Sequence, residues 1–426
     1  MYLIDLFSFS IYHVSGMDSS PLKPAVLSLQ YYSFPDAMGG AWKLTHEINK
    51  RLVERGRRVV LITCKPKNNC SNNEIIDGVE FDRIPTEVSK NPIRLWQAIR
   101  KKIKHYLKDE KNWIVHIHNP LIGALALTVQ PYRKIPKIYH FHSSWYDEEK
   151  INLTEVGQGW LKLQSRLIII RWIEWVCYRS SKSILFLSEY TRRRFMEYYP
   201  FRKPRMRIIP GGVDTNNFCP PKNENELNTI RKRLDIPSEE KILFTVRRLE
   251  ARMGLDNLIT AVAEIVHRSP ELKFKLLIAG KGSLDKKLKS QATLSGMDDR
   301  IYFLGFVPDK LLPLYYAAAD IFIMPTAFIE GFGLATVEAL STGLPVLGTP
   351  VGGTTEILKS IDPSFLFRDA TAQSMADKIE QVLKNPAPIF ALKSKCREGA
   401  IENYSWDLVA DRIEEEYNLI WKKNEN

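Results

Sequence analysis

The sequence has only five cysteines, Cys64, Cys70, Cys177, Cys219 and Cys396, with no CxxC pair among them. An odd number of scattered thiols excludes a disulfide framework, offers no zinc site, and fits a reducing, cytoplasmic setting. No apolar run approaches the roughly 20 residues of a membrane span, because the densest stretch, Leu167 to Tyr178, is broken by Arg171 and Glu174. There is no DxD pair, so carboxylates holding a metal on a diphosphate are not indicated. No GxGxxG follows the first predicted strand, which argues against a nicotinamide dinucleotide. Residues 1–16 are apolar but lack a basic leader and a small-residue cleavage site, so they are not read as a signal peptide. Met17 serves equally well as a start.

What is present is ordinary globular composition over 426 residues, which at roughly 100–200 residues per domain predicts two domains. Charge is unevenly spread. Residues 1–213 hold 34 Lys and Arg against 19 Asp and Glu, a balance of +15, and residues 214–426 hold 27 against 30, a balance of −3. A basic first half points to an anionic partner, whether a phosphorylated or lipid-linked acceptor, an anionic membrane surface, or nucleic acid, with a solvated basic surface that has no partner as the alternative. Nucleic acid is disfavoured, since no recognised module is present and aromatics do not cluster among the lysines.

Short apolar runs alternate with amphipathic segments from Ala25 onward: AVLSL, a helix over 40–54, VVLIT, a helix over 92–107, WIVHIH, KIYHFH, a helix over 160–178, SILFLS and RIIPGG. This pattern predicts βαβ units of a parallel sheet. The stretch 214–240, with Pro220, Pro221 and KNENELN, reads as a loop before a second series: ILFTV, FKLLIAGKG, IYFLGFV, DIFIMP, LPVLGTP and SFLF. The predicted architecture is α/β, two Rossmann-like doubly wound domains over 1–213 and 214–403. A last helix lies within 404–426.

Candidate site residues gather where strands end, the edge at which open α/β sheets bind ligands. Gly39 and Gly40 follow the first strand and open a helix, which suits either a tight turn or close approach of a ligand to helix N-terminal amides. Arg248 and Arg252 follow ILFTV. Fixed guanidinium groups suit a diphosphate, although pairing with Glu250 or Glu264 is the alternative. The segment Glu330 to Glu338 follows DIFIMP. Its Gly331 and Gly333 let the backbone amides of Gly333, Leu334 and Ala335 turn toward a phosphate or sugar, and a carboxylate there accepts bonds from ribose hydroxyls. His116, His118, His140 and His142 end two successive strands. They lack cysteine or carboxylate partners at zinc spacing, and the last of each pair is the better placed for ligand contact. The helix WLKLQSRLIIIRWIEWVCYR reads as a core helix capped by tryptophans, with a membrane interface as its alternative.

At these residues the sequence resembles the retaining glycosyltransferases of the GT-B fold, family 4 (glycosyl transferases group 1), over nearly the whole chain from about residue 25. The motifs that carry the resemblance are GGAWKLTHEINKRLVERG, FHSS, IIPGGVDTNNF, RRLEARMG, LLIAGKG with Gly280, and EGFGLATVEALSTGLPVLGTPVGGTTE. The YSW at 404–406 resembles the start of the family's C-terminal helix, which returns to the first domain. The resemblance implies that the second domain binds a nucleotide-sugar donor, UDP- or GDP-linked, with Glu338 on the ribose, Glu330 on the transferred sugar and Arg248 on the diphosphate. It puts His142 against the donor sugar and implies transfer to a glycan or lipid-linked acceptor with retention of configuration. No cofactor or metal is then expected. The +15 first half adds the expectation of a cytoplasmic protein in peripheral contact with the inner face of the membrane. One departure stands out: the family's lysine before the glycine of the arginine motif is Met253 here, which suggests that Arg252 takes over its phosphate contact. A nucleotide-sugar epimerase and a non-catalytic nucleotide-sugar-binding protein are the rival readings.

Overall fold

The computed structural model describes residues 23–425 apart from 38, 68–69, 109–111, 156–159 and 201–203, so the question of Met17 lies outside the described residues. The first sheet contains β1 (Ala25–Leu29), β2 (Val59–Cys64), β3 (Asn73–Ile76), β4 (Val79–Ile84), β5 (Trp113–Ile117), β6 (Lys137–Phe141), β7 (Ser183–Phe186) and β8 (Arg205–Ile208). Their order is β3-β4-β2-β1-β5-β6-β7-β8, parallel except for the β3–β4 hairpin at one edge. The second contains β9 (Lys241–Val246), β10 (Phe274–Ala279), β11 (Ile301–Gly305), β12 (Ile321–Met324) and β13 (Val346–Gly348), ordered β11-β10-β9-β12-β13 and all parallel. The inner strands read as unbroken Val, Ile and Leu runs because helices cover both faces, and β1, β2, β5 and β12 are buried along their whole length.

Both sheets reverse their winding beside their first strand, between β1 and β5 and between β9 and β12. The crevice at such a switch point is where doubly wound sheets take ligands. The expected two-domain GT-B architecture is thus observed, with the two switch points facing one cleft. The last helix, Trp406–Glu425, packs against Gly40–Glu54 of the first domain. Arg57 Nε donates to Glu414 Oε1 at 2.7 Å, and Arg205 Nε lies 2.9 Å from an oxygen of the buried Glu416. Tyr417 Oη meets His116 Nδ1 at 2.8 Å.

Three expectations need correction. The polar stretch read as a loop over 214–240 contains a helix, Glu224–Arg233. Asn223 caps it by accepting from Glu226 N, with acidic residues in its first turn and basic ones in its last, so the macrodipole is complemented at both ends. SFLF is not a strand: Pro363–Phe365 is a 3₁₀ turn, and only Leu366 makes a single bridge, to Gly348. The helix Trp160–Ser180 is not a core helix with capping tryptophans. Leu167, Ile170, Glu174, Cys177 and Tyr178 turn inward, but Trp172 is 61% exposed. No helix among the described residues is long and apolar enough to cross a membrane.

Glu174 carries a stability consequence. Its carboxyl is buried and accepts bonds from Tyr199 Oη at 2.8 Å and from the Trp145 backbone, but burial outweighs both and pushes its pKa up to about 7 from 4.5. A carboxyl raised in the folded state confers stability that is fully present below about pH 4.5 and lost as pH rises toward 7. Glu174→Gln keeps the shape of the protonated acid. It is expected to match the wild type at pH 4.5 and exceed it at pH 8, by up to roughly 3 kcal/mol. Thermal melts at the two pH values check this, and equal differences at both would contradict it.

Candidate active site

The cleft holds a cavity of about 350 Å³ whose wall includes Gly39, Gly40, His142, Glu148, Arg247, Arg248, Arg252, Met253, Glu330 and Gly333 to Ala335. Each group arrives from the carboxyl end of a strand. Gly39 is the N-cap of the helix beginning at Gly40, after β1. His142 follows β6, the arginines follow β9, and the Glu330 loop follows β12 and feeds the helix Leu334–Ser341. Gly333, at φ +107, makes that entry possible, since a Cβ there would sit 2.4 Å from Thr354 Oγ1. The helix's first amides then face the cavity, a favourable place for phosphate.

The three arginines are not equivalent. Arg247 is buried, with its guanidinium 2.6 Å from Glu330 Oε2 and 2.7 Å from Met253 Sδ, and it also touches Met324 Sδ. In the sequence it stands only as the first residue of RRLEARMG, with no role assigned to it. Arg252 donates to Ile329 O at 3.0 Å, and its own carbonyl accepts from Ala327 N and Phe328 N at 3.1 and 3.2 Å. These bonds clamp the loop that carries Glu330, where Ile329 holds φ +47, a strained conformation for a β-branched residue. Among the described residues Arg248 has no ion pair. Enclosure in the cleft, and then the neighbouring Arg252, lower its pKa. The pairing with Glu250 or Glu264 weighed above does not occur, because Glu250 accepts from Ser283 and Glu264 lies against Arg268.

Glu338 does not line this cavity. It lines an adjoining one of about 120 Å³ together with Lys43, Asp309 and Phe218. Lys43 Nζ, from the first domain, donates to Oε1 at 2.8 Å, and Tyr316 Oη donates to Oε2 at 3.0 Å. Enclosure opposes the charge on Lys43, but Glu338 outweighs it and raises the lysine's pKa. Gly280 also lies outside the cavity wall. At φ +135, a Cβ on it would stand 1.8 Å from Arg247 O, so this glycine seats the arginine segment rather than facing the cavity. Two further contacts join the domains beside the site. Ser188 Oγ donates to Gly331 O at 2.7 Å, and both oxygens of Glu356 accept from Glu189 N and Tyr190 N at 2.8 and 2.6 Å. Glu356 thereby caps a first-domain helix, Glu189–Tyr198.

Of the four histidines, only His142 reaches the cavity wall. His118 Nδ1 lies 3.2 Å from His142 Nε2, and enclosure lowers His142 to about 3, so its imidazole is neutral at physiological pH. Nitrogens of His116, His118 and His140 come within 4.8 Å of one another. The ring planes of the four differ by only 9–34°.

Comparison with known proteins agrees with this arrangement. A family model described as Glycosyltransferase Family 4 matches residues 38–217, and one described as Glycosyl transferases group 1 matches residues 227–403. The chain is 23% identical over 403 residues to an uncharacterized glycosyltransferase of Methanocaldococcus jannaschii, covering 93% of this chain and 98% of that protein. It is 26% identical over 402 residues to a phosphatidyl-myo-inositol mannosyltransferase of Mycobacterium tuberculosis, covering 91% and 95%. Among solved structures, a sucrose-phosphate synthase from Thermosynechococcus elongatus superposes with a TM-score of 0.79 at 20% identity, over 94% of this chain and all of that one. Anabaena HepE, solved with UDP-glucose, superposes with 0.72 at 19%, over 93% and 99%. The two family models together span both sheets and the cleft between them, and the chain belongs to the GT-B glycosyltransferases that join a family 4 domain to a group 1 domain.

Proposed function

We propose that the protein transfers a sugar from a UDP- or GDP-sugar to a glycan or lipid-linked acceptor, with retention of configuration and without a metal ion, in contact with an anionic membrane surface. The observation that carries this reading is one cavity bounded by Arg248, Arg252, the amides opening the 334–341 helix, Glu330 and His142. Departure of the diphosphate leaves an oxocarbenium-like sugar, and fixed cations and helix amides on the phosphates stabilise that charge separation without a metal. Glu330 is turned by Arg247 so that Oε2 is engaged and Oε1 is left for sugar hydroxyls. His142, neutral, has Nε2 on His118 Nδ1 and offers its remaining Nδ1 to the sugar from the opposite domain. The two carboxylates of the cavity wall are both engaged, Glu330 by Arg247 and Glu148 by Ser143 Oγ. As the resemblance to retaining GT-B enzymes implies, the departing diphosphate takes the acceptor's proton on the same face. Closure of the cleft limits hydrolysis. Among names of relatives, a phosphatidyl-inositol acceptor supports the lipid-linked choice.

Calorimetric titration with UDP, GDP and ADP, first without metal and then with magnesium, tests the donor site. One nucleotide is expected to bind without metal, with affinity changed less than threefold by magnesium. Absence of binding by all three, or binding only with magnesium, would overturn the reading.

A further inference from the structure

The helix Trp160–Ser180 is apolar around most of its circumference. Its inner side packs in the first domain, yet Leu161, Ile168, Ile169, Trp172 and Trp175 are 39–77% exposed. Positions 161, 168, 172 and 175 follow helical spacing and form one stripe, with Ile169 beside it. A helix on a water-facing surface carries polar residues outward, and a contiguous exposed apolar stripe marks a contact surface. The helix's one acidic residue, Glu174, is buried, so no carboxylate of this helix faces outward. Arg166, Arg171 and Arg179 flank the stripe.

The occupant follows from chemistry and charge. Tryptophan and arginine around an apolar stripe is the composition of a helix lying at a lipid headgroup boundary. The domain carrying it has a balance of +15 over residues 1–213, which suits anionic lipid. A second copy of the chain is a poorer fit, because a two-fold contact through this stripe would set one +15 domain against another. At 21 residues the helix runs for roughly 30 Å along the surface. It packs against the helix Trp145–Glu155, to which Arg166 is tied through Glu149. Glu148, the neighbour of Glu149, lines the donor cavity. We propose that the outward stripe of Trp160–Ser180 is the seat on which the protein docks to an anionic lipid bilayer, placing a lipid-linked acceptor beside the cleft. This deepens, and rests on, the lipid-linked reading of the acceptor.

The test is co-sedimentation of the full chain with phosphatidylcholine vesicles with and without about 30% phosphatidylglycerol. A triple variant, Ile168→Ser, Trp172→Ser and Trp175→Ser, is compared with the wild type, and nucleotide binding is measured on the same samples. The wild type is expected to sediment with anionic vesicles and to lose most of that binding at 0.5 M salt. The triple variant should partition about tenfold less or worse, with unchanged melting temperature and nucleotide affinity. Arg179→Glu should weaken binding to the anionic vesicles alone. A chain begun at Met17 should bind as the full chain does. Wild-type failure to sediment, a triple variant that binds as the wild type does, or a Met17 start that abolishes binding would overturn the docking proposal while leaving the donor site intact. So would a wild-type dimer that the triple substitution splits without changing lipid binding. Loss of nucleotide binding by the wild type would instead strike the donor-site reading.

Discussion

Replacing Arg248 with alanine is expected to lower kcat by roughly 10²–10³, the usual cost of deleting one fixed group that stabilises developing charge, with a change in donor KM below about tenfold. The reason lies in how the three arginines are engaged. Arg247 already has Glu330, and Arg252 spends part of its guanidinium on Ile329 O. Arg248 stands in the cleft without an ion pair among the described residues, and its surroundings, by enclosure and by Arg252, disfavour its charge. A diphosphate reverses that imbalance, and most strongly when the bond to the sugar breaks and charge accumulates on the leaving group. The same logic separates function from folding. Because enclosure and Arg252 outweigh Glu148 and Glu250 at this cation, Arg248→Ala should leave the melting temperature unchanged or raise it slightly. Arg248→Lys should recover only part of kcat, since an ammonium lacks the fork that grips two phosphate oxygens. Steady-state kinetics with thermal melts decide the matter. A variant with wild-type kcat and only a raised KM would show that Arg248 binds the ground state and does not act on the transition state.

How far the sequence reached into this site depends on whether a group's role follows from its own neighbourhood. Glu330, Gly333 and the helix after them were legible because strand, glycine loop and helix follow each other within about twenty residues, so local pattern and site coincide. The doubly wound sheets were legible for the same reason. Arg247 was not marked, although a signal existed: successive side chains at a strand end point to opposite sides, so of Arg247 and Arg248 one had to turn inward. Lys43 could not be found, because its partner Glu338 lies 295 residues away and the pair forms only when the domains face each other. Glu356 was noticed as part of a motif, but its capping of a helix in the other domain is likewise a tertiary fact. The helix Glu224–Arg233 was missed for a different reason. Its polarity reads as linker, and its signals were the Asn223 cap and the acidic-to-basic charge order rather than apolar period.

Lys43 and Glu338 give the second large prediction. A carboxylate has about four lone-pair positions; Lys43 and Tyr316 occupy one on each oxygen, leaving two for a vicinal ribose diol. On the reading that Glu338 holds the ribose, Glu338→Ala removes both ribose bonds and leaves the buried Tyr316 hydroxyl and the Lys43 ammonium without their acceptor. The loss is roughly 2–4 kcal/mol, about 30- to 1000-fold in nucleotide affinity. Lys43→Met retains the ribose acceptor but frees the carboxylate to turn and removes a bond between the domains. It should weaken nucleotide binding by only about 3- to 10-fold, the scale of a positioning hydrogen bond. The sign for Lys43 is the informative part. If Lys43→Met tightened nucleotide binding, the ammonium would be competing with ribose for Glu338, and the ion pair would be a feature of the empty cleft that donor binding must break. Weaker binding, together with a double variant no worse than Glu338→Ala alone, would mean that Lys43 acts through that carboxylate and that closing the first domain onto Glu338 is part of holding the donor.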